Sequence, residues 1–240
     1  MSGRRPPVVS TLSERDPGLV ELMDDPACDR DALFRTYAAF SHVNALLAGW
    51  RRTYRERLRP NFTGPEHSVV DIGAGGGDVA RALIGWARRD GVRLEITAID
   101  PDERAAAYVS TLAPLDGYTH RLGTSSDLAD EGRLFDFVLS NHVLHHLGPT
   151  ELGTVLADSE QLARLGVVHS DIRRSATAYA LYSVFTAGRF RGTFIREDGL
   201  LSIRRSHRVA ELAAAVPVGW RVVPQAPHRL LLMHDPRAGR

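Results

Sequence analysis

An α/β fold on a mainly parallel sheet is predicted for this chain by three observations. The stretch Ser68-Val-Val-Asp-Ile-Gly-Ala-Gly-Gly-Gly-Asp78 is a β-branched strand that ends in an aspartate, enters a glycine turn and opens a helix at Val79. Short apolar strands then alternate with helical stretches as far as Asp171, the pattern of successive βαβ units. Two closing strands are joined by Pro-Gln-Ala-Pro, short enough for a hairpin.

Taken in order, residues 17 to 60 read as a helical cap, with Leu33, Phe34, Tyr37, Phe40, Val43, Leu46, Leu47 and Trp50 at three- and four-residue steps. Its polar members Tyr37, His42, Asn44 and Arg52 are candidates to line a pocket; alternatively the helix only packs on the sheet. The core follows as strand 68–72, helix 77–90, strand 94–99, helix 102–113, strand 118–122, strand 135–140, helix 150–165 and strand 166–171. Between the third and fourth strands the helix is short or replaced by a turn at Asp127 to Gly132. A lid segment runs from 172 to about 205, then a helix at 206–215 and strands at 220–223 and 228–233. Neither a repeat nor a Gly/Ser-rich linker interrupts the chain, so one domain over 1–240 is expected.

The glycine turn has an unusual charge. Gly lets a ligand approach the backbone, and a helix N-terminus offers N–H groups, which together suit a pyrophosphate. Here Asp71 precedes the turn, Asp78 follows it, and Gly73, Gly75 and Gly77 are spaced G-x-G-x-G rather than G-x-G-x-x-G. Carboxylates repel phosphate and favour a cation, and S-adenosylmethionine carries a sulfonium and an ammonium without phosphate. The second strand, Leu94 to Asp100, ends in an acid somewhat more than twenty residues after the loop, where a carboxylate accepts ribose hydroxyls. Asp100-Pro101 then leads into a helix with an acidic first turn.

Composition removes several rival chemistries. All 30 basic residues are arginine, so the lysine of a phosphate-binding loop, a pyridoxal Schiff base or a short-chain dehydrogenase is missing. Cys28 is the only cysteine, which excludes an internal disulfide and a cysteine metal cluster. The net charge of +1 offers no field for nucleic acid. No apolar run reaches membrane-spanning length, and Met-Ser-Gly-Arg-Arg-Pro-Pro at the start lacks a signal peptide's apolar segment. A cytoplasmic protein, monomer or homodimer, is the expectation.

The loop Val70-Asp71-Ile72-Gly73-Ala74-Gly75-Gly76-Gly77, Ile99-Asp100, and then Phe135-Asp136-Phe137-Val138-Leu139-Ser140-Asn141 resemble, in order, the class I S-adenosylmethionine-dependent methyltransferases. The likeness covers roughly Ser68 to Asp171. It implies a Rossmann-like seven-stranded sheet with a terminal antiparallel hairpin and a lid after strand five, with S-adenosylmethionine as cofactor and S-adenosylhomocysteine as product. It also implies cofactor contacts from Asp71, Gly73, Gly75, Gly77, Asp100 and Pro101, from Asn141 and the backbone of His142, and from Ser126 or Asp127 on the adenine. Base-modifying relatives carry Asn- or Asp-Pro-Pro-aromatic after strand four; Ser140-Asn141-His142-Val143 departs from that and argues against a nucleic-acid base as acceptor.

Asn141-His142-Val143-Leu144-His145-His146 supplies imidazoles, whose pKa near working pH suits removal of a hydroxyl proton. The His-His-Leu run resembles both quinone C-methyltransferases and sugar or phenol O-methyltransferases. In the latter one histidine, aided by an aspartate ending strand five, is the base, which implies His145 or His146 with Asp171 here. Alternatively these imidazoles cap the following helix. No metal site is expected, because two of the histidines are neighbours without a clear carboxylate or thiolate to complement them. In the lid, Tyr179, Tyr182 and Phe185 are candidates to cover an apolar acceptor, with Tyr37 and Arg52 from the cap, while the lid arginines are read as a solvated face. The expected activity is methylation of a phenolic or hydroxyl oxygen of a secondary metabolite; C-methylation of a quinone or isoprenoid precursor is the alternative. A non-catalytic regulator that binds the cofactor is the reading of another class.

Overall fold

A computed structural model describes residues 12–238. The opening stretch Met1 to Pro7, read above for a signal peptide, lies outside them. Seven strands form one sheet: β1 Glu66–Ile72, β2 Arg93–Asp100, β3 Tyr118–Leu122, β4 Phe135–Asn141, β5 Ala163–Ile172, β6 Trp220–Gln225 and β7 Arg229–His234. Their order is β3-β2-β1-β4-β5-β7-β6, parallel except for β7, which pairs antiparallel with both β5 and β6. This is the predicted seven-stranded Rossmann-like sheet with its terminal hairpin. Central strands β1 and β4 are buried on both faces because helices cover each side, whereas the edge strand β3 stays partly exposed.

The register of β1 divides the core. Val69 joins Leu83, Leu94, Phe137 and Leu231 on one face, and Val70 joins Ile99, Val138, Leu152 and Leu230 on the other. Among the described residues the α-helices are α1 Arg30–Leu47, α2 Trp50–Thr53, α3 Asp78–Arg89, α4 Glu103–Val109, α5 Ser125–Asp130, α6 Pro149–Leu162, α7 Ala176–Thr186, α8 Ile195–Arg205 and α9 Val209–Ala215. Local capping explains several starts. Asp29 accepts from the Ala32 amide (2.6 Å) at α1, Asp102 from the Arg104 amide (2.8 Å) at α4, and Ser175 from the Ala178 amide (3.0 Å) at α7. At α6, Pro149 occupies the first turn, where its missing N–H costs nothing.

The cap departs from its prediction. Helix begins only at Arg30, and residues 12–29 form an extended strap with a single 3-10 turn at Leu22–Asp24. Pro17-Gly18 and Pro26 account for this, since proline removes an amide donor and glycine lowers helix propensity. Beyond Gly49 the chain continues through α2 and a π-helical turn at Tyr54–Leu58. Gly49 itself has φ +69, and a Cβ there would stand 2.7 Å from Gln225 Nε2. The helix expected over 102–113 is confined to Glu103–Val109, and that expected over 206–215 starts at Val209.

Candidate active site

The glycine loop leaves β1 at the carboxyl edge of the sheet, where open α/β sheets bind ligands. Gly73, Gly75 and Gly77 all take positive φ (65, 50 and 73°). A Cβ at Gly73 would lie 2.6 Å from Val143 Cγ2, and one at Gly77 would collide with the Tyr118 hydroxyl oxygen. The loop is tied to β2: the Gly73 and Ala74 amides donate to the Ile99 carbonyl (2.9 and 3.2 Å), and the Gly75 amide donates to Asp100 Oδ2 (2.7 Å). Asp100 Oδ1 accepts from the Asp102 amide (2.9 Å). Each carboxylate oxygen retains a further lone pair for a ribose hydroxyl.

Asp71 is the informative residue of this end. It is 1% exposed and neither carboxylate oxygen accepts a hydrogen bond among the described residues. Burial, then the neighbouring Asp78 and Asp100, push its pKa up to about 8. A buried carboxylate without a partner is costly, and an ammonium would relieve it. The methionyl end of S-adenosylmethionine supplies such a group, so the residues present fit that cofactor. Asp78 is also raised, chiefly by burial, although Asn44 Nδ2 donates to it (3.0 Å) and so ties the cap helix α1 to the loop.

A cavity of about 730 Å³ runs from this loop to the lid. It brings together Asp71, Gly73, Gly75, Asp100 and Pro101 with Asn141, His142, His145 and His146. Tyr37, Tyr182 and Phe185 also face it, and Asp171 lies directly behind His145. Other expected residues are not brought there. Gly77 turns the loop but does not line the cavity, and Arg52 is exposed and paired with Glu56 (2.8 Å). Tyr179 sits on a different face of α7 from the lining residues Ala178, Leu181, Tyr182 and Phe185. Asp127 is spent on capping α5, accepting from the Thr124 amide (2.7 Å) and hydroxyl (2.9 Å), and the Ser126 hydroxyl donates to Asp158 (2.8 Å). The cavity wall after β3 is instead Gly123, Thr124 and Ser125. The capping pattern Thr-x-x-Asp at 124–127 was the signal that could have shown this.

His145 and Asp171 form a buried pair. Asp171 accepts from His145 Nδ1 (2.8 Å) and from the His145 backbone amide (2.8 Å), which holds the ring from two points. On the other side, His145 Nε2 lies 3.2 Å from Glu21 Oε1. Burial disfavours the imidazolium, but Asp171 and Glu21 outweigh it and hold the His145 pKa at about 9. Asp171 is itself buried, yet His145 keeps its carboxyl well below the usual range. His142 behaves oppositely: burial and the adjacent Arg229 push its pKa well down, and Arg229 donates to its Nε2 (2.7 Å). His142 holds φ +61, a conformation that costs a non-glycine residue. His146 is 30% exposed, with Nδ1 3.4 Å from Asp24 and Nε2 3.8 Å from Glu21.

Glu21 and Asp24 overturn the expectation that no carboxylate complements these histidines. Nothing in the strap's sequence marks them as site residues, because the tertiary fold alone brings the strap there. Asp198 of α8 accepts from the Leu22 and Met23 amides (2.7 and 3.0 Å), and Arg15 donates to the His145 carbonyl (3.0 Å). Of the lid arginines, Arg189 and Arg191 are exposed as expected, but two others differ from their prediction. Arg204 pairs with Asp16 (3.2 Å) and Arg205 with Asp24 (3.3 Å), so both hold the strap rather than facing solvent.

Residues 34–152 match the family described as a methyltransferase domain. The ubiquinone biosynthesis O-methyltransferase of Rhizobium leguminosarum bv. trifolii is 32% identical over 123 residues, 50% of this chain and 45% of that protein. The mitochondrial protein of the same name from Arabidopsis thaliana is 34% identical over 113 residues, 46% and 34% of the two chains. The chain thus spans less than half the length of these curated relatives. Among solved structures, human N-acetylserotonin methyltransferase in complex with S-adenosylmethionine superposes with a TM-score of 0.59 at 12% identity, over 86% of this chain and 56% of that one. The pyocyanin biosynthetic protein PhzM gives 0.59 at 17%, over 89% and 60%. These likenesses are of fold. The domain match places a methyltransferase domain in residues 34–152, and a glycine loop that buries an unpartnered carboxylate fits S-adenosylmethionine as its cofactor.

Proposed function

We propose that this protein transfers the methyl group of S-adenosylmethionine to a hydroxyl oxygen of a small, largely apolar acceptor, an aromatic ring of phenol or quinol type. The observation that carries the reading is the continuous cavity, in which the cofactor loop and the buried His145–Asp171 pair share one wall system with an aromatic lid. Its volume of about 730 Å³ is in the upper part of the range for small-molecule sites, as a site for two ligands requires. The cofactor supplies an electrophilic methyl on a sulfonium. The chain's residues bind, orient and exclude water: Asp71 meets the ammonium, Asp100 the ribose, and Thr124 and Ser125 take the adenine side in place of Ser126 and Asp127. Asn141 and the His142 backbone flank the cofactor, and His145, His146 and the Asp171 behind them form the polar end of the cavity at which the acceptor hydroxyl is placed. Leu181, Tyr182, Phe185 and Phe194 form the apolar acceptor wall together with Tyr37. The names of the curated relatives support oxygen as the methylated atom and a quinol-like ring as its carrier.

The test is calorimetric titration with S-adenosylmethionine and S-adenosylhomocysteine, followed by a methyl-release assay over phenols, quinols and isoprenoid diphosphates. Micromolar binding with turnover of a phenol or quinol is the expected result. Turnover only of carbon acceptors would replace oxygen by carbon, tight binding without turnover would favour a regulator, and absence of binding would end the cofactor reading.

A further inference from the structure

Among the described residues, Glu21 is the buried carboxylate at the acceptor end that comes from outside the sheet and its α-helices. It is 4% exposed, lines the cavity, and reaches His145 although the two are separated by 124 residues. Its Oε1 is fully engaged: His145 Nε2 lies at 3.2 Å, the Ser202 hydroxyl donates at 2.8 Å, and Arg205 Nη1 and His146 Nε2 stand at 3.6 and 3.8 Å. Oε2 has no hydrogen-bond partner among the described residues. The ring of His145 is therefore bracketed, with Asp171 on Nδ1 and Glu21 on Nε2, and it satisfies both carboxylates only when both nitrogens carry protons. An imidazolium has no lone pair left, so in this arrangement His145 cannot take a proton from an acceptor.

We propose that Glu21 is the group that receives the acceptor's hydroxyl proton, through its open Oε2, and that His145 and Asp171 position it. This rests on the methyl-transfer reading above and deepens it. As the acceptor oxygen bonds to the methyl carbon, the sulfur–methyl electron pair returns to sulfur, leaving a neutral thioether, and the hydroxyl proton passes to Glu21 Oε2. The carboxylic acid so formed releases that proton to solvent once product has left the cavity. A full positive charge on His145 beside Oε1 keeps Glu21 ionised in the resting protein, despite burial, with Arg205 and His146 acting in the same sense. The other titratable and charged groups facing the pair are Asp24 next to His146 and Arg205, Asp198 of α8 and Tyr182 of α7 beside Glu21, His142 edge-on to the His145 ring, and Arg15 on the His145 carbonyl.

The experiment uses the full chain and two readouts. In ¹⁵N-histidine NMR, His145 of the wild type carries protons on both nitrogens at pH 7, and Glu21→Gln moves its titration to lower pH. In turnover, Glu21→Gln lowers kcat for a phenol that is un-ionised at the assay pH by about 10²- to 10⁴-fold, the range for loss of a positioned proton acceptor. The same variant leaves kcat within a few-fold for a nitrophenol that is already ionised. A neutral His145 in the wild type, or equal loss with both acceptors, overturns the proposal, and Glu21→Asp, which keeps the charge, should recover part of the rate. If the wild type binds S-adenosylmethionine but methylates no phenol, the acceptor class is wrong, while the NMR titration still decides whether Glu21 brackets His145.

Discussion

Replacing Asp71 by Asn removes a titratable carboxyl that the fold buries without a partner, and the two consequences have opposite signs. Asp71 titrates near 3.8 in an exposed chain and at about 8 in the folded one. Its contribution to stability is therefore fully present below pH 3.8 and is lost as pH rises through about 8, at about 1.4 kcal/mol per pH unit. At pH 7 the accumulated loss is on the order of 4 kcal/mol. Asn abolishes that loss but leaves an amide without partners, at about 1–3 kcal/mol. The net expectation for Asp71→Asn at pH 7 is a gain on the order of 1–3 kcal/mol, or roughly 2–8 °C in Tm at this chain length, with a flatter dependence of Tm on pH between 5 and 8. Cofactor affinity should move the other way, because an ammonium loses its buried counter-charge: about 2–5 kcal/mol, a 30- to 4,000-fold rise in Kd. Below pH 8, wild-type binding should also release about one proton, so Kd falls as pH rises, and the variant should lose this dependence. Differential scanning fluorimetry across pH, with calorimetry in buffers of different ionisation enthalpy, measures both. A variant with the wild-type pH slope and unchanged Kd would refute the reasoning.

Other perturbations test separate parts of the site. Gly73→Ala, at φ +65 and with its Cβ 2.6 Å from Val143 Cγ2, should cost about 1–2 kcal/mol from backbone strain alone and weaken cofactor binding, with Val143→Ala restoring part of the loss in a double-mutant melt. For His145, raised from 6.5 to about 9, the stabilising contribution is present below pH 6.5 and lost as pH rises through 9; it amounts to about 3 kcal/mol, and His145→Gln should lack this alkaline loss in urea titrations at pH 6 and 9.5. Asp198→Ala frees the Leu22 and Met23 amides and should speed their hydrogen exchange; unchanged protection would mean that the strap is held elsewhere. Asp127→Ala should lower Tm through loss of the α5 cap while leaving cofactor Kd unchanged, whereas an affinity loss would restore Asp127 to the adenine site.

What local sequence carried, it carried because each element is dictated by neighbours along the chain. The run Val69-Val70-Asp71-Ile72 followed by spaced glycines specifies a buried parallel strand and a positive-φ turn, since few side chains tolerate either environment. Asp71, Asp100, Asn141 and Asp171 were legible because parallel strands place all their carboxyl ends on one edge, so order along the chain implies proximity in space. The terminal hairpin followed from two short closing strands joined by the brief Pro-Gln-Ala-Pro segment. Assignments that depended on side-chain direction were less secure: Asp127, Ser126, Arg52 and Tyr179 lie close in sequence to the right places, but capping, ion pairing and helix phase turn them elsewhere. Glu21 was out of reach. Its segment has no periodic pattern, proline and glycine keep it from folding on its own, and its position is set by Asp198, Arg204 and Arg205 from nearly two hundred residues away. Strand order and loop chemistry are local or topological and belong to the sequence; which carboxylate faces the second nitrogen of His145 is a long-range packing result, and only the tertiary structure decided it.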